Sequence, residues 1–105
     1  VTAARPDPAV GRIVADETSP QWRFEGELTL DNAAALLAEA DELPLPSSGI
    51  IDLSQLARAD SSALAVAIEI KRRAKSEGRA IAFEHVPAGL MSLAVVYGVD
   101  DMLAA

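Results

Sequence analysis

The stretch from Ile50 to Phe83 constrains the fold more than any other part of the chain. Ile50-Ile51-Asp52-Leu53 is a short β-branched run that reads as a buried strand. Residues 54–59 read as a connection. Asp60-Ser61-Ser62 then offers three candidate caps for a helix running to about Glu77, with Gly78 in the position where helices commonly end. Ala80-Ile81-Ala82-Phe83, within 79–84, reads as the next strand. Two strands joined by a helical crossover must pair in parallel, because the helix carries the chain back to the end of the sheet where the first strand began.

The flanking segments extend this unit. Arg12 to Ala15 and Gln21 to Leu30 look extended, and the polar stretch Asp16 to Pro20 between them suggests an antiparallel hairpin. In the second run Trp22, Phe24, Gly26, Leu28 and Leu30 share one face, and Gly26 marks a bulge or a close backbone approach. Asp31 is placed to cap a helix over 32–42 whose apolar stripe is Leu36, Leu37, Ala40 and Leu43. Pro44 and Pro46 stop it. Pro87 suits the first turn of a last helix with Leu90, Leu93, Ala94 and Tyr97 on its inner face, closed by Gly98. Residues 99–105 read as a short tail in which Met102 and Leu103 pack back. The order ββαβαβα predicts an α/β domain: a mixed sheet opening with an antiparallel hairpin, with helices packed on it.

Composition narrows the function. The 105 residues carry 9 Lys and Arg against 16 Asp and Glu, a formal charge of −7. That balance, with only four aromatic residues, argues against a nucleic-acid surface. The absence of cysteine removes disulfides, thiolate metal sites and thiol nucleophiles. The longest apolar run, Ala63 to Ile68, is far short of the roughly 20 residues that span a bilayer. Residues 1–10 read as a flexible leader rather than a secretory signal, since they hold two prolines and no apolar stretch.

Few residues carry chemistry. Asp52 and Asp60 are two carboxylates without the further ligands that a metal requires. The single histidine, His85, follows a strand with no Ser/Asp arrangement around it, and no glycine-rich phosphate loop occurs. The start of the 61–77 helix is more telling. Free N–H groups there favour negative charge, so Ser61 and Ser62 either cap the helix or receive a phosphate that those groups help hold. Projection at 100° per residue turns Ala63, Leu64, Ala67, Ile68, Ile70 and Ala74 inward. Ser62, Ala65, Glu69, Arg72, Arg73 and Ser76 turn outward, with Val66 at the edge of that arc. The small outward residues are either good helix formers alone or a flat docking surface. Five of the nine basic residues fall between Lys71 and Arg79, against one acid. They either complement the helix dipole or steer an acidic partner.

The text Ile50-Ile51-Asp52-Leu53-Ser54, then Asp60-Ser61-Ser62, then Ala63-Leu64 opening a helix, resembles the STAS domain family, named for sulfate transporters and anti-sigma factor antagonists. Ala63 stands where Gly is usual. The strand from Trp22 to Thr29, the Lys75-Ser-Glu-Gly helix end and the closing Leu93-Ala-Val-Val-Tyr-Gly-Val belong to the same resemblance. It spans roughly 12–103 and implies a STAS fold over 12–105 behind a leader over 1–11. The closing segment and the short hairpin are most similar to the MlaB branch, the cytoplasmic STAS subunits of Mla phospholipid ABC transporters. That resemblance implies a non-catalytic subunit without cofactors, held at the inner face of the inner membrane by an ABC ATPase (MlaF-like) in complex with a permease. It implies no nucleic-acid partner and no insertion into the membrane. By position Ser61 matches the hydroxyl residue at the ATPase contact, and Ala65, Val66 and Glu69 extend that contact, with Asp52 and Asp60 as motif support. In the other branch, the anti-sigma factor antagonists, a kinase phosphorylates the second serine of Asp-Ser-Ser-Gly, here Ser62.

Overall fold

The structure is a computed structural model describing residues 11–15 and 20–103. The leader over 1–11, apart from Gly11, and most of the hairpin connection lie outside the described residues. Strands β1 (Arg12–Ala15) and β2 (Trp22–Leu28) are followed by α1 (Ala33–Asp41), β3 (Ile50–Ala59), α2 (Ser61–Ser76), β4 (Ala82–Glu84), α3 (Ala88–Val96) and α4 (Asp100–Leu103). The sheet runs β1-β2-β3-β4. β1 and β2 are antiparallel, and β3 is parallel to both β2 and β4, as the crossover argument requires. The result is the expected mixed α/β sheet with helices packed on it.

Strict alternation in β2 decides which face is covered. Trp22, Phe24 and Leu28 are buried, while Arg23 and Glu25 on the other face stay half-buried and pair with each other. Ile51 and Leu53 of β3 and Phe83 of β4 join the covered face. Against it lie Leu36 and Ala40 of α1, Leu64, Ala67 and Ile70 of α2, and Leu90 and Ala94 of α3. Gly26 takes φ +77°, and the β2–β3 register shifts beside it, so the bulge expected there is present.

Several local expectations change. β3 continues through Ala59 instead of ending at Leu53. Its second half pairs with β2 as far as Leu28↔Ala59, yet most of its side chains are exposed. Backbone pairing holds this half, so it carries no apolar period. β4 starts only at Ala82, because its pairing with β3 reaches no further than residues 50–52. Asp31 does not cap α1. Asn32 occupies the N-cap, and its side chain turns back, accepting from Thr29 N–H (2.9 Å) and donating to Glu27 O (2.7 Å). Pro87 is the N-cap of α3 rather than its first helical residue. The tail forms α4, with Leu103 buried as expected.

Four side chains leave the faces their spacing assigned. Leu30 lies beyond the end of β2 and is exposed. Tyr97 follows the last turn of α3 and points to solvent rather than into the core. Val66 is buried, because α1 packs against that side of α2. Arg73 is not an outward residue. Its guanidinium donates to Ala40 O and Leu43 O at the end of α1, and Arg79 likewise donates to Pro46 O.

Candidate functional site

Asp60 organises the start of α2. One carboxylate oxygen accepts from Ser62 N–H at 2.8 Å and caps the helix. The other accepts from Leu30 N–H at 3.0 Å, while Asp60 N–H donates to Leu28 O at 3.3 Å. One side chain therefore ties the β2–α1 turn to the first turn of α2. Burial pushes the Asp60 carboxyl upward, but the Leu30 and Ser62 donors and nearby Arg58 outweigh it and hold it below its ordinary value. The sequence offered Asp60, Ser61 and Ser62 as candidate caps, and the structure selects Asp60. The bond to Leu30 was not readable from sequence, because it joins residues thirty positions apart.

With Asp60 as the cap, Ser61 becomes the first helical residue and is exposed. Ser62 is half-buried, and its backbone N–H is the one that donates to the Asp60 carboxylate. Ala65 and Glu69 are exposed one and two turns on, and Glu69 pairs with Arg72 at 2.9 Å. Of the expected contact residues, then, Ser61, Ala65 and Glu69 share an open face, Ser62 sits at its edge, and Val66 lies beneath it.

This face is not flat. Ala65 forms a ridge between two shallow apolar grooves. One, of about 310 Å³, runs between α1 and α2 and is lined by Leu30, Ala33, Leu37, Ser62, Ala65 and Val66 among others. The second, of about 290 Å³, runs from α2 to the end of α3 and is lined by Ser61, Leu64, Ala65, Ile68, Tyr97 and Val99. Leu30 and Tyr97 were missed as surface residues. Their apolar character suited the core, and only the ends of β2 and α3 turn them outward.

A family model described as "Mlab, STAS domain" matches residues 12–104. The chain belongs to the STAS domain family. The matching model is of the MlaB type, in agreement with the resemblance carried by the Asp60-Ser61-Ser62 segment and the closing Tyr97-Gly98-Val99. No curated protein matches the chain at a significant level.

A second cluster in this STAS domain lies on the open face of the sheet. Asp52 accepts from Ser54 N–H (2.9 Å) and the Ser54 hydroxyl (3.0 Å), and lies 3.1 Å from His85 Nδ1. Sequence spacing gave His85 no such neighbours; the β3–β4 register supplies them, pairing Asp52 with Glu84. The carboxylate sits between hydroxyl and imidazole and binds both. This is the reverse of a nucleophile–base contact, in which the imidazole must take the hydroxyl proton. Among the described residues no group of three or more His, Cys, Asp or Glu side chains is placed to hold a metal. Nor is any helix long and apolar enough to cross a membrane.

These carboxylates set an acid limit on stability. For Asp52 burial pushes upward, and the hydrogen bonds from Ser54 and His85 outweigh it. For Glu25 the bond from Arg12 comes first, with Arg23 adding to it against burial. Asp52, Asp60 and Glu25 are all held below their ordinary values of 3.8, 3.8 and 4.5. A depressed carboxyl stabilises the folded state above its unfolded value and loses that contribution as pH falls through the folded one. The urea midpoint is expected to stay level from neutral pH down to the ordinary carboxylate range and to fall below it. Asp60→Asn should make that fall shallower while lowering the neutral-pH midpoint.

Proposed function

We propose that this STAS domain is a non-catalytic subunit that binds and regulates the ATPase of an Mla-type ABC transporter, which moves phospholipid and maintains outer-membrane lipid asymmetry. It would work in the cytoplasm, held at the inner membrane through an MlaF-like ATPase and its permease. One observation carries the reading: Ser61 and Ala65 stand exposed on the first turns of α2, between two apolar grooves, in a domain of MlaB type. Small side chains on that ridge let a partner approach the helix closely. Docking regulates the ATPase only if the subunit binds one of its nucleotide states more tightly than another.

Ala65→Arg tests this directly. Arginine is nearly as good a helix former as alanine, so the exposed position tolerates it in the free domain. In a complex it places an unpaired charge against apolar surface, at a cost of several kcal/mol. Association with the purified ATPase should weaken by about a hundredfold or more, and the effect of the subunit on ATP turnover should vanish. Unchanged affinity and turnover would refute the docking role of this face.

Phosphorylation at Ser62, the anti-sigma antagonist reading, fits the site less well. A phosphate there would place about two negative charges beside the Asp60 carboxylate, which caps the helix through Ser62 N–H. The exposed hydroxyl is that of Ser61.

A further inference from the structure

His85 stands at the joint between β4 and α3. Among the described residues it alone, apart from glycines, takes a positive φ, +56°. That region is disfavoured for a residue with a Cβ and persists where surrounding contacts hold it. The rest of the joint is stiff. Val86 precedes a proline, which confines it to extended backbone, and Pro87 has its own φ fixed by its ring, at −56°. A change in the direction of α3 relative to β4 is therefore concentrated at His85.

The contact that holds His85 is the carboxylate of Asp52. Ser54 N–H and the Ser54 hydroxyl tie that carboxylate to its own strand, and the Asp52 side chain is 13% exposed against 67% for the imidazole. An ionised carboxylate only accepts, so Nδ1, at 3.1 Å, carries the proton of the bond. The fixed partner is thus the carboxylate, and the ring open to water is the one that changes. Imidazolium donates from both nitrogens and adds an ionic attraction, whereas the neutral ring keeps the bond in one of its two tautomers. Two other charged residues share this face in register with Asp52. Glu84 lies on β4, and Arg23 lies on β2, where it is paired with Glu25, which Arg12 also engages. From Val86 to Val99 the sequence contains no Asp, Glu, Lys or Arg, so α3 brings no charge to the joint.

We propose that His85 is a proton-operated latch between β3 and the β4–α3 joint. Protonated, the imidazolium is held by Asp52 and fixes the direction in which α3 leaves the sheet. As pH rises through the imidazole range the contact weakens, the strained φ loses its restraint, and the first turn of α3 loosens. Asp52 is held below its ordinary carboxyl value and stays ionised throughout, so the imidazole alone changes state. The latch belongs to the domain by itself and does not rest on the proposed function. An exposed ion pair adds little to global stability. The effect is local, and amide exchange registers it while the urea midpoint hardly moves.

The chain holds a single histidine and no cysteine, so a side-chain transition between about pH 5 and pH 8 is read without interference. Nuclear magnetic resonance of the whole chain follows the His85 ring together with two amides. One is Ser54 N–H, which shares the Asp52 carboxylate; the other is Met91 N–H, which donates to Pro87 O across the first turn of α3. Both amide signals should shift with the midpoint of the ring. Protection of Met91 against exchange, corrected for the intrinsic effect of pH, should be about threefold higher at the acid end. Asp52→Asn removes the ionic partner and should abolish that rise. His85→Gly adopts φ +56° without strain, so it folds without the latch and should protect Met91 equally at both ends. A ring that titrates with no response at Met91 would overturn the proposal. So would a threefold rise that survives in Asp52→Asn or in His85→Gly.

Discussion

Ile51→Ala is expected to lower the unfolding free energy by about 4 kcal/mol. Ile51 is fully buried and sits in β3, one of the two strands paired on both sides. Its in-register neighbours are Trp22 and Phe83, both buried. The paired strands on either side and the buried cluster around Ile51 cannot collapse fully into the space left by the missing side-chain atoms, so a cavity persists. The loss is a large part of the roughly 5–15 kcal/mol that holds a small domain together. In urea the midpoint should drop while the slope stays constant, since the surface exposed on unfolding barely changes. A loss below about 1 kcal/mol would mean that the core is not closed around β3 as described. The variant also calibrates the docking experiments. Ile51→Ala should weaken partner binding only as far as it depopulates the folded chain, whereas Ala65→Arg should weaken it with the melting temperature unchanged.

The two classes of position differ in how far the sequence revealed them. Ile51, Phe24 and Leu64 follow from local pattern, because burial on one face imposes a period of two on strands and 3.6 on helices. The cap was narrowed to Asp60, Ser61 or Ser62 because capping is local: the partner of Asp60, Ser62 N–H, is two residues away. The second half of β3 did not follow from local pattern, since exposed side chains paired only through the backbone leave no period to read. Leu30 and Tyr97 were placed in the core because alternation and helical spacing carry on in the text after the element itself has stopped. Ala65 was legible as an outward residue of α2 and Ser61 only through the family resemblance, and the grooves beside them depend on where α1 and α3 come to lie. The Ser54–Asp52–His85 cluster depends on the β3–β4 register, which no local pattern fixes.

Arg73 is the clearest case of a residue whose role comes from tertiary placement, and it carries the second large expected effect. Its position near the end of α2 suggested dipole complementation or steering of an acidic partner. Instead its side chain, only 23% exposed, braces α1. Nη1 donates to Ala40 O at 2.9 Å, Nη2 to Leu43 O at 2.7 Å, and Nε to Glu77 Oε2 at 2.8 Å. α1 has no basic residue in its own last turn, so Arg73 supplies from a neighbouring helix the positive charge that those final carbonyls favour. Arg73→Met keeps most of the stem and removes the donors. Ala40 O still accepts from Leu43 N–H, but Leu43 O loses its charged partner. Hydrogen bonds to charged groups contribute about 1.5–3 kcal/mol, and the partly exposed Glu77 pair adds little, so a loss of about 2–3 kcal/mol is expected. Arg73→Lys should recover only part of it, because a single ammonium cannot span two carbonyls as the planar guanidinium does. Hydrogen exchange should quicken at the end of α1, around Glu42 and Leu43, before it does in β2 or β3. Equal destabilisation by both variants would mean that the charge contributes nothing and the fork geometry everything, whereas full recovery by Arg73→Lys would mean that charge alone matters there. Since α1 forms one wall of the groove that contains Leu30 and Ala65, loosening it should also reduce partner affinity, more for Arg73→Met than for Arg73→Lys.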